Sequence, residues 1–80
     1  MSVRVRYFAA AKAALGRASD EFEELPDLAA LEARLLEGSP ESAAVLGRCS
    51  YLVDGVSTTD RATGLTAGSS VDVLPPFAGG

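Results

Sequence analysis

Apolar and charged residues alternate at the start of the chain, with Val3, Val5 and Tyr7 on one side and Arg4 and Arg6 on the other. A period of two predicts a half-buried strand running to Phe8. The next stretch, Ala9 to Leu15, is alanine-rich and favours helix, and Gly16 stands where a left-handed residue ends one. Ser19 to Leu25 is acidic, with Phe22 as its main apolar anchor, and is read as a second strand near a sheet edge. From Leu28 the period changes. Leu28, Leu31 and Leu35 recur at helical spacing and Leu36 widens the apolar stripe. Asp27 is placed to cap this helix and Gly38-Ser39-Pro40 to stop it. Ser39, with Pro40 at the first helical position, starts a further short helix through Leu46.

The second half is patterned as strands. Tyr51-Leu52-Val53 runs into the two-residue turn Asp54-Gly55, and Val56-Ser57-Thr58 returns as its hairpin partner. Leu65 is an isolated anchor before the turn Gly68-Ser69-Ser70. Val71-Asp72-Val73-Leu74 forms the last strand, which Pro75-Pro76 ends because neither proline can donate to a ladder. Helices in the first half and strands in the second predict an α+β fold, one mixed sheet covered on one face by the leucine-striped helix. Residues 1–80 are read as a single domain with a tail over 75–80. The tail is expected to leave from the end of a buried strand, kept straight by its two prolines.

Composition narrows the function classes. Hydrophobic residues make up 48% of the chain, which argues for a packed core. Seven basic against eleven acidic side chains leave a net charge of −4, and the basic residues are scattered, so nucleic acid is not an expected partner. A chain with one cysteine, Cys49, and no histidine lacks the usual zinc ligands and any Ser-His-Asp or Cys-His constellation. No metal site and no cofactor are expected. No apolar run approaches a membrane span, and Arg4 and Arg6 interrupt any secretory leader at the start. The unpaired cysteine fits a reducing cytoplasm. If the protein takes part in catalysis, the chemistry lies at its terminus or on a partner.

The terminus offers such chemistry. Pro75-Pro76-Phe77-Ala78-Gly79-Gly80 is stiff and apolar and finishes on two residues without a Cβ, able to enter a slot too narrow for side chains. The Gly80 α-carboxylate is ionised at neutral pH and is a nucleophile for the α-phosphate of ATP. The resulting acyl-adenylate is open to attack by a sulfur donor or an amine. Taken alone, Gly-Gly is equally well read as a frayed chain end.

Three segments together resemble the MoaD/ThiS family of sulfur carriers, and its MoaD branch most closely. Val5-Arg6-Tyr7-Phe8-Ala9-Ala10-Ala11-Lys12 resembles that branch's first strand and helix start. Leu65-x-x-Gly68-Ser69-x-Val71-x-Val73 is similar to the approach to the last strand, and Pro75-Pro76-x-Ala78-Gly79-Gly80 to the terminal signature. Ser69 replaces a common aspartate in a turn, and Leu74 and Phe77 exchange the usual order of aromatic and aliphatic around the prolines. The resemblance implies a ubiquitin-like β-grasp fold and a small subunit of molybdopterin synthase that is itself no enzyme. In that role Gly80 would be adenylated by an E1-like activating enzyme and converted to a thiocarboxylate. A larger, MoaE-like subunit would then direct the sulfur to cyclic pyranopterin monophosphate. Pro75, Pro76, Phe77, Ala78 and Gly79 would be the partner-binding residues, with Phe77 the anchor and Gly79 kept small for entry.

Other readings of the same features remain open. The carrier could serve thiazole or cysteine synthesis, although thiazole carriers are usually shorter and lack the Tyr7-Phe8-Ala9 opening. It could be a ubiquitin-like modifier joined through Gly80 to lysines, or a plain β-grasp binding module that uses its sheet edge. Cys49 is assigned to the core rather than to sulfur transfer. The acidic residues Asp20, Glu21, Glu23 and Glu24 are assigned to a solvated edge rather than to partner guidance.

Overall fold

A computed structural model of the chain describes residues 2–76. Strand β1 (Val3–Tyr7) leads into helix α1 (Ala9–Leu15), strand β2 (Ser19–Phe22) and helix α2 (Leu28–Gly38). A 3-10 turn (Pro40–Ser42) and the short helix α3 (Ala43–Leu46) follow, then β3 (Ser50–Val53), β4 (Val56–Thr58) and β5 (Ser70–Leu74). The sheet order is β2-β1-β5-β3-β4. Only β1 and β5 pair in parallel, and the other three pairings are antiparallel. This is the ubiquitin-like β-grasp arrangement expected from the resemblance.

The alternation in β1 works as predicted: Val3, Val5 and Tyr7 are buried while Arg4 and Arg6 are exposed. They join Tyr51, Val71 and Val73 beneath Leu28, Leu31 and Leu35 of α2 in one hydrophobic core. Asp27 caps α2, its side chain accepting from the Ala30 N–H at 2.9 Å. Gly16 ends α1 in the left-handed region at φ +76°, with its N–H on the Lys12 carbonyl. The Asp54-Gly55 turn has positive φ at both residues, +48° and +87°, as the tight hairpin requires.

β1 stops at Tyr7, one residue short of the pattern, and β3 and β5 start one residue early at Ser50 and Ser70; two further boundaries differ more. β2 ends at Phe22 rather than at Leu25, because Phe22 already faces Val3, the first residue of β1, and the ladder has no further partner. Leu25 is nonetheless buried and joins the core from the connection to α2. The helix expected through Leu46 is divided into a 3-10 turn and a four-residue α-helix. The buried Ser42 hydroxyl donates back to the Ser39 carbonyl at 2.7 Å there, a local bond that tightens the first turn. At Ser69, the buried side-chain oxygen accepts from the Thr66 N–H at 3.0 Å, so the serine itself closes the turn before β5.

Candidate functional site

The root of the tail sits at the middle of the sheet. Val73 faces Tyr7 of β1 on one side and Tyr51 of β3 on the other, and Leu74 faces Ser50. Because β1 and β5 are parallel, both end at the same edge of the domain, and the residue after β1 lies beside the residues after β5. That residue is Phe8, whose N–H donates to the Val73 carbonyl at 3.3 Å. On the β3 side, the Ser50 hydroxyl donates to the Leu74 carbonyl at 3.4 Å. Phe8 is nevertheless 37% exposed. The chain turns from β1 into α1 through Ala9 at φ +49°, a left-handed conformation that costs a residue with a Cβ about 1–2 kcal/mol. This turn leaves the Phe8 ring at the surface.

Pro75 is half-buried and Pro76 exposed. Together they form a ridge between two shallow apolar clefts. On the sheet side the cleft is lined by Phe8, Ala9, Ala10, Ser50 and Leu74 with both prolines, and it measures about 370 Å³. On the helix side it is lined by Ala10, Ala44, Val45 and Arg48 with the same prolines, and it measures about 260 Å³. Among the described residues, neither cleft is lined by a carboxylate. On the open sheet face nearby, Arg6 grips Asp72 through two bonds of 2.8 and 2.9 Å and lies 5.5 Å from the Phe8 ring centroid. An exposed aromatic ring and bare alanines around a projecting strand end make a surface suited to a protein partner.

The predicted site residues divide between the described and the undescribed. Pro75 and Pro76 lie at the strand end where the pattern puts them. Phe77, Ala78, Gly79 and Gly80 lie outside the described residues. Cys49 is 2% exposed, and its thiol donates to the Val45 carbonyl at 3.2 Å. Burial pushes that thiol's pKa up, so it stays protonated, the opposite of what a reactive cysteine needs. Of the acidic residues, Asp20 accepts from Tyr7 and Arg17, and Glu21 accepts from Ser2. Both therefore belong to the fastening of the β2 edge. Among the described residues no cluster of His, Cys, Asp and Glu is placed to hold a metal, and no helix is long and apolar enough to cross a membrane.

Sequence reasoning missed the polar fastenings of the two core tyrosines. The Tyr7 hydroxyl donates to Asp20 at 2.8 Å, and Arg17 pairs with the same carboxylate. The Tyr51 hydroxyl donates to Glu32 of α2 at 2.7 Å, and Arg61 bonds that carboxylate at 3.0 Å. Arg61 also donates to the Leu46 and Cys49 carbonyls at 3.0 and 3.1 Å, tying the loop before Leu65 to the end of α3. In both arrangements the arginine lies over the tyrosine ring. An inward-facing tyrosine was itself the available signal, since a buried phenol requires a partner. Phe8 was also missed as a surface residue, although the alternation through Tyr7 already points it outward.

The ThiS family model matches residues 5–80 of the chain. No curated protein matches it. Among solved structures, the complex of subunits 1 and 2 of molybdopterin-converting factor from Helicobacter pylori is similar at 26% identity and a TM-score of 0.71, with 100% of each chain covered. Small archaeal modifier protein 1 from Haloferax volcanii is similar at 19% identity and a TM-score of 0.80, again with 100% of each chain covered. The protein of the same name from Methanosarcina acetivorans is 20% identical with a TM-score of 0.81, over 99% of this chain and 96% of that one. The last two likenesses concern the fold.

Proposed function

The chain belongs to the ThiS family, and we propose that it is a sulfur carrier acting as the small subunit of molybdopterin synthase. One observation carries the reading. The chain's last strand lies at the centre of the sheet and delivers Pro75-Pro76 to an apolar surface headed by Phe8, and the sequence beyond them is Phe-Ala-Gly-Gly. The 26% likeness to the Helicobacter pylori complex favours the molybdopterin branch. The Gly80 carboxylate attacks the α-phosphate of ATP in an E1-like enzyme and pyrophosphate leaves. A hydrosulfide equivalent then displaces AMP to give the thiocarboxylate. Gly79 lets the tip pass into both partners' sites, while Phe77 and the prolines hold the tail. The larger, MoaE-like subunit positions the sulfur against cyclic pyranopterin monophosphate. The small subunit itself contributes a nucleophile on a tether, and the acid, base and metal chemistry belongs to its partners. The work takes place in the cytoplasm.

The test is intact mass after incubation with an E1-like enzyme, MgATP and a sulfur source. Exchange of the terminal OH for SH adds about 16 Da, a covalent change of one atom. Absence of that species under conditions where a known carrier is converted would refute the carrier reading. A thiocarboxylate that supports no molybdopterin formation with the larger subunit would transfer the role to thiazole or cysteine synthesis. Protein-sized adducts through lysine would identify a modifier instead.

A further inference from the structure

The helix-side cleft adjoins the sheet-side cleft across the proline ridge, and the rest of its lining is different in chemistry. Its floor is made of Ala10, Ala44, Val45 and the two prolines, and its rim carries Arg48. Arg6, Arg17 and Arg61 each pair with a carboxylate, and Arg34 lies over the Phe22 ring. Arg48 is exposed, and its guanidinium has no such partner among the described residues. A chain with a net charge of −4 thus presents a cation that is unpaired among the described residues, beside an apolar floor whose described lining holds no carboxylate. The cleft also shares Ala10, Pro75 and Pro76 with the sheet-side cleft, so whatever holds the tail is brought up against it.

We propose that this cleft is a second docking site for the carrier's partner proteins. It would take a segment that offers an aliphatic side chain to the Ala10/Ala44/Val45 floor and a neighbouring Asp or Glu to Arg48. The lining is too small and apolar for a sugar or a base, and a single arginine does not make a phosphate cradle. A rim charge of this kind contributes chiefly to association and its salt dependence. The two clefts would clamp the proline ridge from both sides and hold the tail in line with the partner's slot. The identity of the partners rests on the carrier reading, whereas the cleft's preference for an aliphatic-acidic segment does not.

Two measurements test this. In ATP–pyrophosphate exchange with the E1-like enzyme, Arg48→Glu is expected to raise KM for the carrier about tenfold or more at low salt with kcat unchanged. Arg48→Lys should stay within about threefold of the parent, and the difference should shrink as salt screens the charge. Ala44→Arg, which fills the floor, should also raise KM. Parent KM values for both Arg48→Glu and Ala44→Arg, with this enzyme and with the larger subunit, would overturn the proposal. If the parent chain is not a substrate at all, the carrier reading fails, and the cleft is judged by the second measurement. The 15N-labelled full chain is titrated with an acetylated, amidated Leu-Ser-Asp-Glu peptide and with its Leu-Ser-Asn-Gln counterpart. Shifts at Ala10, Ala44, Val45 and Arg48 with the acidic peptide, reduced in Arg48→Glu, are expected. No shifts at millimolar peptide, or equal shifts with both peptides, would overturn the proposal. It would equally be overturned if Phe77→Ala alone moved the Ala44 and Val45 resonances, which would assign the cleft to the chain's own tail. A dimer broken by Ala44→Arg would assign it to a second copy and overturn the proposal as well.

Discussion

Alkali should destabilise this domain through its two tyrosines, and the structure fixes the sign. Tyr7 and Tyr51 are the chain's only tyrosines, 2% and 0% exposed. Burial pushes both phenols far above their ordinary range, and the hydrogen bonds to ionised Asp20 and Glu32 push the same way. In the unfolded chain both ionise near pH 10. Above that pH the unfolded state binds fewer protons than the folded one, so stability present below pH 10 is lost as pH rises. At pH 11 an unfolded tyrosine is about nine-tenths ionised, which favours unfolding by about 1.4 kcal/mol for each residue and about 2.8 kcal/mol for the pair. That is a large share of the ~5–15 kcal/mol typical of a domain. The assay is urea denaturation at pH 8, 9, 10 and 11, with the tyrosinate absorbance followed in parallel. The folded protein should show no tyrosinate band until it unfolds. Tyr51→Phe should lower stability at pH 8 by about 1.5–3 kcal/mol, the value of a hydrogen bond to a charged group, and remove about 1.4 kcal/mol of the loss between pH 8 and 11, to which the buried Cys49 thiol adds a share of its own. A tyrosinate band titrating near pH 10 in still-folded protein, or an unchanged alkaline slope in both Tyr7→Phe and Tyr51→Phe, would refute the reasoning.

Four further predictions concern the tail, the cysteine and the Arg61 fastening. Phe77→Ala should weaken partner binding by about 2 kcal/mol or more, as expected of an aromatic anchor, with an unchanged circular dichroism spectrum. Gly79→Val, and an alanine appended after Gly80, should retain the fold but block ATP–pyrophosphate exchange, because a branched side chain stiffens and widens the tip and the extension moves the carboxylate past the reacting position. Parent-rate exchange in both would hand the function to the sheet surface alone. Cys49→Ala should cost about 1 kcal/mol of stability and still form thiocarboxylate, and a folded variant that forms none would make the thiol part of the transfer. Arg61→Met should cost about 2 kcal/mol in urea denaturation, since it unties three carbonyls and leaves Glu32 with Tyr51 alone. A cost below about 0.5 kcal/mol would show that these bonds are matched by water in the variant.

Local periodicity carried most of the fold. The two-residue period of β1, the leucine stripe of α2 and the Asp54-Gly55 turn each state their element within a few residues. The strand order was not legible. It depends on which strand fills the gap between β1 and β3, and β5 does so across a separation that no window of the sequence spans. The surface at the tail root was hidden for the same reason. Phe8, Ser50 and Pro75 are distant in sequence and meet only once β1 and β5 lie in parallel. The tyrosine fastenings escaped because Tyr7 and Asp20, or Tyr51, Glu32 and Arg61, belong to different elements. Cys49 and Leu65, by contrast, could be assigned to the core from residue type alone.

The parallel pairing bears directly on the proposed role as a tethered nucleophile. Parallel neighbours end together, so β1 delivers Phe8 to the same place at which β5 delivers Leu74 and the prolines. An antiparallel β1 would put that ring at the far end of the sheet and leave the tail root without its largest exposed aromatic group. The central position of β5 adds a mechanical consequence. Val73 is held by β1 on one side and β3 on the other, so a partner pulling on the tail loads two ladders along the strand axis, where many hydrogen bonds share the load. One of the two non-glycine residues with positive φ, Ala9, lies next to this strand, where it turns the chain and holds Phe8 at the surface. The result is a rigid root with an apolar cleft on either side of the proline ridge. On the proposed carrier role, the two glycines that follow in sequence would meet a narrow site without the domain having to move.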